Sequence, residues 1–201
     1  VQKSAKTAGV VLAAGGATRF GTPKQLLHFG KKTFIEQVIE TCIDVDLSPL
    51  VVVLGFEANL IYEKIKRYGN RIEVIVNSNW QFGQSLSMRV AIPYIMNSPS
   101  SLFLLSDQPQ ISPSLLLKLI DKFSSGEFEI VAPFFGEQRG NPVLFSRSLF
   151  CELSKLSGDK GGRQLFNKYQ VERVDWDDDR ILIDVDTPED YKLLKRAYGF
   201  K

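Results

Sequence analysis

Residues 8–27 read AGVVLAAGGATRFGTPKQLL. The opening AGVVLAA, 8–14, is a continuous apolar run, the pattern of a strand buried on both faces. It ends in Gly15-Gly16, so the strand enters a glycine loop. Glycines at 15, 16 and 21 let backbone N–H groups approach an anion closely. Arg19 and Lys24, on the same loop, add a bidentate guanidinium and a point charge. That pairing suits a triphosphate, with Arg19 on the outer phosphates and Lys24 near the reacting one. Two commoner motifs fail. Gly16 and Gly21 have P-loop spacing, but Thr22-Pro23 stand where Lys-Ser/Thr belong, and the dinucleotide fingerprint GxGxxG is not formed. Pro23 favours an extended loop over a helix start.

Outward from this segment, strands and helices alternate. Thr33 and Glu36 have capping-box spacing for a helix. LVVVLG (50–55) is a second strand, 57–68 has helical periodicity, and IEVIV (72–76) is a third strand. A polar-aromatic loop, 77–83, leads to a helix over 85–95. LFLLS (102–106) is a fourth strand ending at Asp107, and Ser112-Pro113 opens another helix. EIVAPF (129–134) and PVLF (142–145) are later strands. VERVDW and RILIDV are strand-like, and Pro188 opens a final helix. This order predicts a three-layer, Rossmann-like α/β fold with a mainly parallel sheet, and after about residue 134 a small C-terminal add-on lobe. In such sheets ligands sit beyond the strands' carboxyl ends, where Gly15 and Asp107 fall. One domain is expected over 1–201, with 1–110 as its nucleotide-binding part and 135–190 as its cofactor-facing part.

The composition narrows the chemistry. With 25 Lys+Arg against 23 Asp+Glu, the net charge is +2 over 201 residues. Such a balance is not that of a duplex-binding protein, so no nucleic-acid partner is expected. Anions must be met by a few placed cations. No apolar run has the roughly 20 residues of a membrane span, and the first residues carry no signal-peptide h-region. Cys42 and Cys151 have no CxxC partner and read as reduced thiols, so the expected location is cytoplasmic. One histidine, His28, leaves no zinc hydrolase and no GxSxG-type triad; it reads as a packing or surface residue. Trp80 and Phe82 read as loop anchors. The run Asp175–Asp179 reads as a solvated hairpin turn.

The glycine loop resembles L-A-A-G-x-S-x-R-x-G-x-P-K-x-L-L, the signature of the MobA-like nucleotidyltransferases in their molybdenum cofactor cytidylyltransferase branch. The one departure is at the serine, where the hydroxyl is displaced by one residue to Thr18. Asn77–Arg89 is similar to N-P-x-W-x-x-G-x-S-x-S-L-R, with Ser78 for Pro. Ser106-Asp107-Gln108-Pro109 resembles G-D-Q-P, and Arg139–Phe145 resembles R-G-H-P-V-L-F with Asn141 for His. Gly158–Arg163 is similar to G-D-x-G-A-R, and Asp184–Asp190 to D-I-D-T-P-E-D. These motifs keep one order over nearly the whole chain.

The resemblance implies in-line transfer of CMP from CTP to the terminal phosphate of the molybdenum-pterin cofactor, for later delivery to an acceptor molybdoenzyme. It implies a nucleotide site at Leu12, Ala13, Ala14, Gly15, Gly16, Arg19 and Lys24, framed by Gly83, Ser85 and Ser87. It implies Mg²⁺, with Mn²⁺ as an alternative, on Asp107 and on Asp186 or Asp184. Asp184 and Asp186, two apart on an extended segment, share a face, and one of them is a candidate cap for the helix at Pro188. Lys24, Arg19 and Asp107 form the implied catalytic set, and Asn141, Gly161 and Arg163 the implied pterin-facing set. Guanylyl or other small-phosphate transfer, and a non-catalytic cofactor escort, are the alternatives.

Overall fold

The computed structural model describes residues 6–16 and 20–200. Ala17, Thr18 and Arg19 lie outside the described residues. The chain runs β1 (Ala8–Ala13), a hairpin of β2 (His28–Phe29) and β3 (Lys32–Thr33), α1 (Phe34–Asp44), β4 (Leu50–Leu54) and α2 (Ala58–Ile65). It continues through β5 (Glu73–Val76), α3 (Gln84–Ile95), β6 (Ser100–Leu105), α4 (Pro113–Ser124), β7 (Ile130–Phe135) and β8 (Gln138–Arg139). β9 (Val143–Ser146), α5 (Phe150–Leu153), β10 (Val171–Asp175) and α6 (Pro188–Ala197) complete it.

The main sheet has the order β10-β7-β9-β6-β1-β4-β5, with β8 paired to β7. β1, the apolar run that opens the chain, lies between β6 and β4, parallel to both. β9 runs antiparallel to its neighbours β6 and β7, so the sheet is mainly parallel but mixed. Every residue of β1 is buried, as a central strand covered on both faces requires. Alternate residues serve opposite layers. Val11, Ala13, Val52 and Leu104 pack with Ile35 and Ile39 of α1, Ile61 of α2 and Leu115 of α4. Val10, Leu12, Val53 and Phe103 pack with Met88, Ile92 and Ile95 of α3 and Phe150 of α5. That makes three layers. The stretch after residue 134 extends the same sheet through β8, β9 and β10. A third, smaller cluster of Phe34, Val185 and Leu194 joins α6 to the start of α1, with Phe29 of the hairpin packed against it.

Local signals account for the helix starts. Thr33 and Glu36 form the capping box of α1, and the Ser112 hydroxyl accepts from the Leu115 amide, with Pro113 in the first turn of α4. α2 passes into tighter 3-10 turns at Lys66–Arg71. Two expectations need correction. RILIDV is not a strand: it forms a 3-10 turn at Asp179–Leu182 and then an extended segment with no partner strand. The Gln110 amide takes the carbonyls of Arg180 (3.0 Å) and Ile183 (2.7 Å), satisfying backbone groups a ladder would otherwise use. Without a second strand, Asp175–Asp179 is no hairpin turn. It links β10 to the 3-10 turn, with the Asp178 carboxylate accepting from the Arg180 amide at 3.0 Å.

Candidate active site

β1 and β6 are in register, Leu12 opposite Leu105. Ala14-Gly15-Gly16 and Ser106-Asp107 therefore leave the sheet side by side at its carboxyl end. Gln25, almost wholly buried in the 3-10 turn Lys24–Leu26, holds the loop from below. Its amide nitrogen donates to the carbonyls of Ala13 (3.0 Å) and Gly15 (3.1 Å). Trp80 holds it from the side. A Cβ on Gly16 would stand 2.9 Å from the Trp80 ring, and one on Gly55 would stand 2.7 Å from the Ala14 carbonyl oxygen. Both glycines are thus fixed by close approach.

Side chains from three distant stretches of the chain meet beside this loop. The Lys24 ammonium donates to Asp107 Oδ2 at 2.8 Å and to Asp186 Oδ1 at 2.7 Å. Asp184 accepts from the Gln108 amide at 2.7 Å. The cap of α6 is neither aspartate: Thr187 and Asp190 form its capping box. Burial alone would lower the Lys24 pKa, but Asp107 and Asp186 outweigh it and hold the ammonium above its ordinary value. The Asp184 pKa is raised, first by desolvation and then by Asp107, against the pull of the Gln108 hydrogen bond.

That direction fixes a pH dependence. A carboxyl with a raised native pKa binds its proton more tightly folded than unfolded, so stability falls as pH rises through the carboxylate range. Asp184→Asn keeps an acceptor for Gln108 and removes the charge. Because Asp184 is exposed, solvent screens its repulsion with Asp107, and we expect only a small rise in Tm at pH 7. Thermal melts of both proteins from pH 3 to 7 check it, and a lower Tm for the variant at pH 7 would refute it.

The loop, Lys24 and Asp107 border a cleft of about 370 Å³. Of the residues expected to face nucleotide, Leu12, Ala14, Gly15, Gly16, Lys24, Gly83 and Ser87 line it. Ala13 does not; it is buried in β1 and its carbonyl is taken by Gln25. Ser85 does not either. Its hydroxyl accepts from the Gln164 amide at 3.1 Å and its backbone N–H donates to Gly158, so it braces the 157–164 segment instead. Residues to which the sequence reading gave no part in the site also line the cleft: Gln25, Gln81, Gln84, Ser106 and Asp159, together with Trp80, which had read only as an anchor. Only Trp80 and Asp159 fall within quoted motifs as chemically distinctive residues.

Asp107 and Asp186 offer hard oxygen donors of the kind Mg²⁺ and Mn²⁺ prefer, and Mg²⁺ commonly uses one or two carboxylates with phosphates and water. Among the described residues no group of three acidic, His or Cys side chains is placed to hold a metal. The donor set therefore fits an ion completed by substrate oxygens, with Lys24 released toward phosphate.

A second, smaller pocket of about 40 Å³ shares Leu12, Gln84 and Leu105 with the cleft. Asn141 and Arg163 line it, with Arg139, Phe145 and Phe166. Gly161 is buried next to Gln84 without lining it, and Gly162 does line it. Among the described residues no helix is long and apolar enough to cross a membrane.

The chain is similar to known proteins. Nicotine blue oxidoreductase of Paenarthrobacter nicotinovorans is 30% identical over 92% of this chain and 95% of its own. The molybdenum cofactor cytidylyltransferase of Escherichia coli K12 is 23% identical over 94% of this chain and 95% of its own. Among solved structures, Rv0371c of Mycobacterium tuberculosis H37Rv superposes with a TM-score of 0.84 at 31% identity, covering 96% of this chain and 98% of that one. A complex of Rv0371c with manganese gives a TM-score of 0.81 at 29% identity, covering 96% and 99%. The MobA-like NTP transferase domain matches residues 9–174, from the middle strand through the glycine loop, Asp107 and both pockets' walls, and the chain belongs to that family.

Proposed function

We propose that the protein transfers CMP from CTP to the terminal phosphate of the molybdenum-pterin cofactor, as one NTP-transferase unit. The observation that carries this is the Lys24 ammonium held between Asp107 and Asp186 next to the glycine loop. Such a group answers charge that develops on a phosphate, and a pure cofactor escort has no need of it. Residues 1–110 would take the nucleotide and 135–190 the pterin, with Asn141, Gly161 and Arg163 on the pterin side. The relative named molybdenum cofactor cytidylyltransferase supports this choice of donor and acceptor.

In the reaction a phosphate oxygen of the acceptor attacks the α-phosphorus. A new P–O bond forms, the bond to the bridging oxygen breaks, and pyrophosphate leaves with the electron pair. The acceptor phosphate is already ionised near pH 7, so no general base is needed. Backbone N–H groups at Ala14, Gly15 and Gly16 orient the triphosphate. Arg19 neutralises its outer phosphates, and Lys24 moves from its carboxylates to the α-phosphate oxygens. Asp107 with Asp186 or Asp184 would hold Mg²⁺ or Mn²⁺, which supplies charge neutralisation to the phosphates. The product would pass to an acceptor molybdoenzyme.

The relative named nicotine blue oxidoreductase supplies a second reading, in which the cleft serves a redox reaction. The test is pyrophosphate release with CTP, GTP, ATP and UTP, each with and without molybdenum cofactor and with Mg²⁺ or Mn²⁺. Release with CTP that depends on the cofactor is the expected result. Preferred use of GTP would shift the base assignment. No release with any nucleotide, together with two-electron transfer from a supplied reductant to a supplied dye acceptor that depends on the protein, would replace transfer by the redox reading.

A further inference from the structure

After β10 the chain leaves the sheet, yet it carries Asp184 and Asp186 back to the cleft. Residues 180–187 pair with no described strand, so another device must set their path. Two side chains pin it from below. Ile181 packs into the main core, close against Gly140, and Val185 packs with Phe34 and Leu194. Asp186 itself is held loosely, its side chain largely exposed. An exposed ion pair contributes little toward its own geometry, so the meeting of Asp186 with Lys24 depends on the backbone beneath it.

Gln110 reaches that backbone from the loop between β6 and α4, a short way beyond Asp107. It is buried. Its Nε2 donates to the carbonyl oxygens of Arg180 at 3.0 Å and Ile183 at 2.7 Å. Both partners are acceptors, so the position needs an N–H donor of this reach. The Gln110 backbone carbonyl accepts from the Tyr198 hydroxyl at 3.4 Å, where α6 ends. The Tyr198 ring lies 4.6 Å from the Arg180 guanidinium stacked on it, and meets Phe29 of the hairpin edge-on with centroids 4.8 Å apart. Gln110 therefore bonds to both ends of the stretch 180–198.

One loop carries Asp107, Gln108 and Gln110. Asp107 meets Lys24 directly, and Gln108 takes the Asp184 carboxylate. Asp186 meets Lys24 from a backbone that Gln110 fixes upstream and Asp190 fixes downstream, its carboxylate accepting from the Asp186 N–H at 3.1 Å. From these contacts we infer that Gln110 is a positioning residue: through the carbonyls of Arg180 and Ile183 it places the Asp186 carboxylate on Lys24. It touches no reacting atom. The placement itself needs no nucleotide, and only its effect on turnover rests on the transfer reading. Without the Gln110 amide, two part-buried carbonyls lose their donor, and the backbone shifts to find water for them. Asp186 shifts with it, and Lys24 keeps Asp107 alone.

Lys24 reports this placement through its acylation by N-hydroxysuccinimidyl acetate, read by peptide mass spectrometry on the folded full chain without nucleotide or metal. Gln110→Met keeps the length and packing of the side chain but removes the donor. We expect it to raise the Lys24 labelling rate by about twofold to fivefold, the scale of one exposed ion pair. Asp186→Ala should give the same rise, and the two substitutions together no further one, because both act through a single contact. Tyr191→Phe is the control for general loosening. It removes a different bond of α6, from the Tyr191 hydroxyl to the His28 carbonyl at 2.8 Å, and should leave Lys24 labelling unchanged. In turnover, Gln110→Met should lower kcat by about tenfold or more, the scale of a slightly misplaced catalytic group, with the Kd for a non-hydrolysable CTP analogue unchanged. If Gln110→Met unfolds, Gln110→Asn keeps an amide, withdraws it by one methylene and carries the same expectation.

Lys24 labelling at the wild-type rate in the folded Gln110 variants would overturn this role. So would additive rises in the double variant, an equal rise in Tyr191→Phe, or a loss of analogue affinity as large as the loss of kcat. A chain that shows the expected labelling pattern yet releases no pyrophosphate with any nucleotide would sink the transfer reading alone.

Discussion

On the proposed transfer, Lys24→Ala should lower kcat for pyrophosphate release by about 10²–10³-fold, the scale of removing one preorganised charge-stabilising donor, while the Kd for the nucleotide should change little. The difference comes from where Lys24 spends its bonds. In the free protein both carboxylate contacts are satisfied at 2.7 and 2.8 Å, so moving to the ground-state nucleotide exchanges one set of anions for another. The gain appears only as charge builds on the reacting phosphate. Folding is not a competing explanation. The Asp186 side chain is 62% exposed, so that pair adds little stability; the better protected one is with Asp107. With the Lys24 pKa raised, its ion-pair stabilisation is complete below the ordinary lysine range and is lost only as pH rises through the folded value, above 10.5. Activity changes near neutral pH therefore arise from other groups. Single-turnover rates and equilibrium nucleotide binding on the same variant check this; a collapsed affinity with kcat preserved would assign Lys24 to ground-state binding.

Much of this site is legible in the chain because strand ends are legible. An unbroken apolar run announces a strand covered on both faces, and the first polar residues after it mark the sheet's carboxyl edge. That places Gly15 and Asp107 side by side once β1 and β6 are neighbours. Helix starts are equally local: Thr33 with Glu36 and Ser112 with Pro113 carry their own caps. The segment 180–185 defeats the same logic. Ile181, Ile183 and Val185 alternate with polar residues as a half-buried strand would, but a strand also needs a partner, and here the Gln110 side-chain amide takes two of its carbonyls while Gln108 holds the Asp184 carboxylate. Alternation still works at short range, since Val185 is buried with Asp184 and Asp186 turned outward. Which aspartate meets Lys24 depends on the path of that segment, so spacing alone leaves both open. Gln25 and Trp80 act by bracing other residues' backbone, and such a role leaves no signature in residue type.

Gly83→Ala is the second large effect, and it falls on stability and cleft together. Gly83 has φ +103° and ψ 170° where the 3-10 turn Trp80–Phe82 meets α3, a backbone region open essentially to glycine alone. A Cβ there would also lie 2.6 Å from the Gly158 carbonyl carbon and 2.7 Å from its oxygen, and closer still to the Asp159 carboxylate. Backbone on the far side cannot swing away as a flexible side chain can. The Ser85 N–H to Gly158 bond, which ties α3 to that segment, must lengthen with it. Strain and overlap together should cost about 3 kcal/mol or more, which at roughly 2–4 °C per kcal/mol is a fall in Tm on the order of 6–12 °C. Because Asp159 and Gly83 both line the cleft, CTP affinity should fall in the fraction that stays folded. Two further glycines separate the causes. Gly21→Ala meets a positive φ of 66° with open space among the described residues and should cost only the strain, about 1–2 kcal/mol. Gly15→Ala meets neither obstacle among the described residues and should leave Tm nearly unchanged while intruding on the nucleotide. Thermal melts that rank Gly83 below Gly21 below Gly15 locate the close approach at residue 158; equal losses at 83 and 21 would mean that backbone strain acts alone and that the wall of the cleft yields.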